Sequence, residues 1–327
     1  MLNVSQENAS LLALYGITLK KELKSSVTLQ LKDHDEDSKM SKSLYEKLIE
    51  AINSKQPHDV SLPLIYFGVE LEFVGSMLPM DVQHFCLAMH KLVGEKFFNS
   101  YNYTHNSGNA WILGRDGSIK ASESELLVPV GYELSTPKLE LFNKEHLELL
   151  RNVIDLCKTH LHAEVNKSCG THVHFGFRHD KVYRGGVRRL LTSYSVMESK
   201  VFDPMVPTSR RRNKYCKTIK PYTNNKYQKI STRYCEFNCD GKCRLLHFEF
   251  RQLEGTLDIN TIMYWTELNA YLLYDLIDNI KDNDYLDRMS KMNLFDILFH
   301  YNFNSSLISF FIDRVINFKS KTIQAEE

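Results

Sequence analysis

The sequence predicts an α+β fold, an antiparallel sheet with helices packed on one face. Two observations carry this. Four short segments alternate polar and apolar residues with a period of two: LIYFGVELEFVG from Leu64, GYELSTPKL from Gly131, CGTHVHFGF from Cys169 and LLHFEFRQLEG from Leu245. That alternation gives a strand one polar and one apolar face. Between them lie longer stretches whose apolar residues recur at helical spacing. No internal repeat occurs at solenoid periods.

The elements follow in order. Residues 1–62 read as an N-terminal helical extension. Ser41–Ile52 (SKSLYEKLIEAI) has the helical pattern, with Ser41 placed to cap it. The run KDHDEDSK before it reads as a solvated loop, and Pro57 and Pro63 bracket a linker. Residues 63–280 form the main domain. Its helices are expected over Met80–Phe97, His146–His162, Val187–Val201 and Ile259–Ile280; the second turns Leu147, Leu150, Ile154 and Leu161 inward. Trp111 and Trp265 read as core aromatics. Residues 281–327 read as a C-terminal helical segment, with one apolar helix over Leu294–Phe318 and a polar tail.

Composition narrows the class. The chain is 43% hydrophobic and 25% charged, ordinary for a globular protein. Lys and Arg number 41 against 40 Asp and Glu, a formal charge of +1, which argues against a nucleic-acid surface. No apolar run approaches the roughly 20 residues that span a bilayer. The start, MLNVSQENASLL, lacks the basic and apolar regions of a secretory signal. Seven scattered cysteines fit a reduced, cytoplasmic protein.

The strands carry the chemistry. Alternate residues share a face, so Glu70 and Glu72 point together, as do His172 and His174, Glu249 and Arg251, and Glu133 and Ser135. Their neighbours Val69, Leu71, Phe73, Tyr132, Leu134, Val173, Phe175, Phe248 and Phe250 take the other side. Each pair alone has an ordinary explanation. A single ExE is usually a solvated face, an HxH occurs in metal sites and outside them, and an ExR can be a cross-strand ion pair. Four such strands in one sheet point instead to a single polynuclear site. Gathered carboxylates repel and raise one another's pKa. Divalent cations relieve that, and oxygen donors with an imidazole suit Mg²⁺ or Mn²⁺.

The ordered set GVELEF, GRDGSI, GYELSTPKL, SCGTHVHFGF and FEFRQLEGTLD resembles the putative amidoligase family, within the glutamine synthetase and glutamate–cysteine ligase superfamily. The resemblance runs over roughly residues 64–275. It implies a glutamine-synthetase-like curved antiparallel sheet and an ATP-dependent carboxylate–amine ligase that works through an acyl phosphate. It also implies two Mg²⁺ or Mn²⁺ ions. Carried over to this sequence, Glu70, Glu72, Glu133, His172 and Glu249 would be the metal ligands. His174 would lie nearer nucleotide or carboxylate, and Arg251 would meet the transferred phosphoryl group or the acceptor carboxylate. Asp116 would sit near the substrate amine as a candidate base, with Glu123 or Glu125 as alternatives. The implied partners are ATP, an amine, and a carboxylate on a small molecule, peptide or protein. The segment Glu133-Leu-Ser-Thr-Pro137-Lys-Leu departs from the family's usual E-V-x-S-P-x-L. Between the HxH and ExR blocks lies an unusual basic stretch with Arg210, Arg211, Arg212, Lys220, Lys229 and Arg233, from which Arg233 is taken as a cofactor-binding candidate.

Other features weigh less. Cys235, Cys239, Cys243 and His247 recur every four residues, a run that could hold zinc but at an uncommon spacing; a hairpin disulfide or free thiols are the plainer reading. Cys169 reads as a packed thiol. Three functions compete with the ligase: a guanidino-kinase-like phosphotransferase, a metal-dependent hydrolase, and a non-catalytic binding module, the last disfavoured by the intact set of acids, His172 and Arg251.

Overall fold

The computed structural model describes residues 17–21, 27–31, 65–100, 109–178, 184–211, 213–219, 237–240, 245–301 and 303–324. The helix expected over Ser41–Ile52 lies outside these residues. So do Arg212, Lys220, Lys229, Arg233, Cys235 and Cys243. The chain divides into two compact units. One comprises Leu62–Glu198 and Val206–Ser290, the other Met1–Ser61, Ser199–Met205 and Lys291–Glu327.

The second unit contains an antiparallel pair, β1 (Ile17–Lys21) and β2 (Val27–Leu31). The larger unit is built on an eight-stranded sheet. Its strands are β3 (Tyr66–Ser76), β4 (Phe98–Ser100), β5 (Trp111–Arg115), β6 (Pro129–Ser135), β7 (Leu139–Glu140), β8 (Gly170–Arg178), β9 (Phe237–Asp240) and β10 (Leu245–Glu254). They lie in the order β4-β5-β6-β3-β8-β10-β9, with β7 beside one end of β3. Every pairing is antiparallel except β4 with β5. This is the expected α+β class. β3 therefore runs through the middle of the sheet, between β6 and β8.

The alternation holds strand by strand. Phe67, Val69, Leu71, Phe73, Tyr132, Leu134, Val173, Phe175, Phe248 and Phe250 are each no more than 2% exposed. Burying such a side chain is worth about 2 kcal/mol. A slip of one residue would turn that row to the polar side and bury carboxylates in its place, so the pattern fixes the register. Helices cover the apolar face. In α3 (Arg184–Met197), Tyr194 meets Phe250 edge-on at 5.9 Å. Leu190 and Tyr194 of α3, Phe250, and Leu272, Leu273 and Leu276 of α4 (Ile259–Asp278) surround a small void. Both tryptophans are buried, as expected.

Helix ends are set by local chemistry. α1 spans Pro79–Val93 and stops at Gly94, whose φ of 88° favours glycine, so the helix does not reach Phe97. α2 spans Lys144–His160, because the Asn143 side chain accepts from the backbone N–H groups of Glu145 and His146. Asp258 caps α4 in the same way. α5 (Asn283–Lys291) was not foreseen; Asp282 accepts from the N–H of Tyr285 at its start. The apolar stretch after it is two helices rather than one, α6 (Leu294–His300) and α7 (Ser305–Gln324). The second starts anew because Asn304 accepts from the N–H of Leu307. Among the described residues no helix is long and apolar enough to cross a membrane.

Candidate functional site

Register brings the polar residues together. Glu70 of β3 lies directly across from His172 of β8, and His174 is opposite Glu249 of β10. On the other side of β3, Glu72 is opposite Glu133 of β6, and Glu133 is in turn opposite Gly114 of β5. The β8–β10 register shifts between Phe250 and Leu253, so two residues of β10 stand opposite His172. Such a bulge re-aims side chains. Here it leaves Arg251 on the polar face while Leu253 is fully buried.

His172 occupies the centre. It is 1% exposed; its Nδ1 lies 3.0 Å from Glu70 and 3.6 Å from Glu249, and its Nε2 lies 3.5 Å from Glu72. His174 Nε2 is 3.4 Å from Glu70. Glu72 also accepts the backbone N–H of Gly170 at 2.6 Å. Arg251 donates to Glu249 through Nη1 and to the Tyr215 carbonyl through Nε at 3.1 Å. The buried Arg210 donates to the Arg251 carbonyl at 2.5 Å, so one arginine braces the strand carrying the other.

Asp116 arrives by a turn. Its N–H donates to the Gly131 carbonyl, and its carboxylate accepts from Ser118 at 2.7 Å. The turn approaches β6 closely because residue 131 is glycine: a Cβ there would lie 2.5 Å from the Asp116 carbonyl and 2.6 Å from Ile119 Cβ. The structure sets the Asp116 carboxylate next to Glu72 and Glu133. Glu123 and Glu125 are exposed, and Glu123 faces Lys120 at 4.0 Å. Cys169 is buried, which pushes its thiol up to about 11.

Two donor groups result, each with ligand atoms within 4.8 Å of one another: Glu70, His174 and Glu249, and beside them Glu72, Asp116 and Glu133. The electrostatics show how crowded they are. Burial, reinforced by Glu70, Glu72 and Asp116, pushes Glu133 up to about 8. Burial also opposes charge on Glu70, but the His174 and His172 imidazoles outweigh it and hold this carboxyl well below its usual range. Glu249 is likewise held low, burial being outweighed by Arg251 and His174. His174 rises to about 9, as Glu70 and Glu249 overcome its desolvation. The donor set fits divalent cations. It is oxygen-rich with imidazole, and the buried Nε2 atoms of His172 and His174 have no hydrogen-bond partner among the described residues.

Sequence reasoning missed His247. It stacks on His174 with ring centroids 4.8 Å apart, and the two rings share a hydrogen bond of 2.9 Å between His174 Nδ1 and His247 Nε2. Alternation along β10 would have found it, since His247, Glu249 and Arg251 share a face. Its four-residue spacing from Cys235, Cys239 and Cys243 masks that shared face. Of that run, Cys235 and Cys243 lie outside the described residues.

Fold and site together give an antiparallel sheet whose polar face is lined with acids and imidazoles, and comparison with known families points to a ligase-type enzyme. A family model described as "Putative amidoligase enzyme" matches residues 64–236, more than half of the chain, and the chain belongs to that family. Among curated proteins no match was found. The matched stretch carries Glu70, Glu72, Asp116, Glu133, His172 and His174. It ends before β10, which supplies His247, Glu249 and Arg251.

Proposed function

We propose that this amidoligase-family chain is an ATP-dependent carboxylate–amine ligase that forms an amide or isopeptide bond through an acyl phosphate. Amide formation in water is uphill, and a carboxylate is a poor electrophile. Transfer of the γ-phosphoryl group to the carboxylate gives a mixed anhydride and ADP; the amine then attacks the acyl carbon and phosphate leaves. The observation that supports this most is the convergence of five carboxylates and His174, from neighbouring strands and the Asp116 turn, into two adjacent donor groups, with His172 and Arg251 against them.

Glu70, His174 and Glu249 would hold one divalent cation and Glu72, Asp116 and Glu133 a second; His172, the imidazole ligand that the resemblance implies, lies between them, within 3.6 Å of Glu70, Glu72 and Glu249. When bound, Mg²⁺ or Mn²⁺ supplies positive charge that offsets the phosphate oxygens. The protein's own residues do the rest. Arg251, fixed by Glu249 and the Tyr215 carbonyl, points a rigid guanidinium at charge that develops on the phosphoryl oxygens. The apolar layer under the sheet holds the strands so that these groups keep their spacing. The acceptor is a carboxylate of an amino acid, peptide or protein.

The test is product analysis. With ATP, Mg²⁺, a carboxylate and an amine, ADP should form only when both acceptors are present, with a product lighter than their sum by one water. Glu72→Ala should abolish it. ADP formed with an amine or guanidine alone would replace the ligase with a phosphotransferase, and turnover without nucleotide would replace it with a hydrolase.

A further inference from the structure

We propose that His247 is a positioning residue that fixes the tautomer and ring orientation of His174 for cation binding. This rests on the two-cation reading above and deepens it. An imidazole that ligates a metal through one nitrogen almost always donates its other N–H to a fixed partner, which selects the tautomer and holds the ring. His174 has that arrangement. Its Nδ1 pairs with His247 Nε2 at 2.9 Å. Its Nε2 is buried, has no hydrogen-bond partner among the described residues, and faces Glu70 at 3.4 Å. The only proton placement that leaves the Nε2 lone pair available puts the hydrogen on Nδ1, donated to His247. His247 Nε2 is then the acceptor, and its own proton sits on Nδ1.

The stacking serves the same end. The two rings lie 22° from parallel with centroids 4.8 Å apart, so His247 also blocks His174 from swinging outward. Acceptor and steric wall thus come from one side chain on β10, two residues from Glu249. One of the three strands that build the first donor group, β10, therefore also builds its support. His172, in contrast, is flanked on both ring nitrogens by carboxylates and takes its orientation from them.

The test compares His247→Phe, which keeps a stacking ring without a nitrogen, with His247→Gln, which restores an acceptor. Mn²⁺ titration of each protein is read by calorimetry and by the nitrogen modulation in the spin echo of bound Mn²⁺; circular dichroism checks the fold. In the native chain two Mn²⁺ should bind, one showing imidazole nitrogen that His174→Ala removes. His247→Phe should weaken that ion by about 10- to 100-fold, the usual cost of losing such a support, and leave the other within twofold. His247→Gln should recover most of the loss. Native binding that His247→Phe leaves unchanged, or nitrogen coupling that survives His174→Ala, overturns the assignment while the ligase reading stands. A native chain that binds no Mn²⁺ overturns both.

Discussion

Glu133 offers the sharpest test of how the site is held together. Its carboxyl is pushed from 4.5 to about 8, first by burial and then by Glu70, Glu72 and Asp116. The folded chain therefore keeps a proton that the unfolded chain releases. Stability is unaffected below pH 4.5, falls as pH rises from there through about 8, and stays low beyond. At about 1.4 kcal/mol per pH unit the full cost approaches about 5 kcal/mol. The neutral isostere in Glu133→Gln removes it. In cation-free buffer the variant should melt at nearly the native temperature at pH 4.5 and, at roughly 2–4 °C per kcal/mol for a unit of this size, on the order of 10 °C above it at pH 9. Adding Mg²⁺ at pH 9 should reverse the ranking, since the cation relieves the native cluster and loses a ligand in the variant. Scanning fluorimetry over pH, with and without Mg²⁺, reads all of this. A melting difference that is the same at pH 4.5 and pH 9 would refute the crowded-carboxylate account.

Further outcomes follow from the same geometry. Glu133 and His174, at about 8 and about 9, are both protonated at pH 7 without cations, so saturation should release close to two protons; calorimetry in buffers of different ionisation enthalpy counts them, and none released would contradict the ligand assignment. Gly131→Ala should drive the Asp116 turn off β6, costing about 1–3 kcal/mol of stability and weakening cation binding, both visible in melts with and without Mn²⁺. Asp116→Asn separates two roles. Weakened Mn²⁺ binding marks a ligand, whereas intact binding with a kcat that falls and becomes sensitive to the pKa of the amine marks a base. Arg251→Lys keeps the charge but loses the fork to Glu249 and Tyr215; kcat should fall about 10²- to 10³-fold with cation affinity little changed.

The four central strands were legible because each buries one face and not the other, and period-two alternation records that directly. β5 left no such trace: Trp111, Ile112, Leu113 and Gly114 are all buried, so its segment is an apolar run without alternation. β4 and β9, at three and four residues, are too short to show a period. The break between α6 and α7 was written in Asn304, and the start of α5 in Asp282, but a capping side chain is one residue against a long apolar pattern. In the site, shared faces brought Glu70, Glu72, Glu133, His172, His174, Glu249 and Arg251 to the same side. Sequence could not show which side chains meet, because neighbour order in the sheet is not chain order. Asp116 therefore joins Glu72 and Glu133 from a turn, and His174 shares a donor group with Glu70 and Glu249 alongside the more central His172.

The sheet's strand order also sets a timetable. Glu70 waits for His172, 102 residues further on, and His174 for His247, another 73. Closing loops of that length is slow, and nothing local rewards it until the strands dock. A ribosome releasing this chain would expose β3 with its two acids long before their counterparts exist, so the two donor groups are among the last features to assemble. Any fragment ending where the family match ends would carry the acids of β3 and the imidazoles of β8, yet never Glu249 and Arg251 of β10.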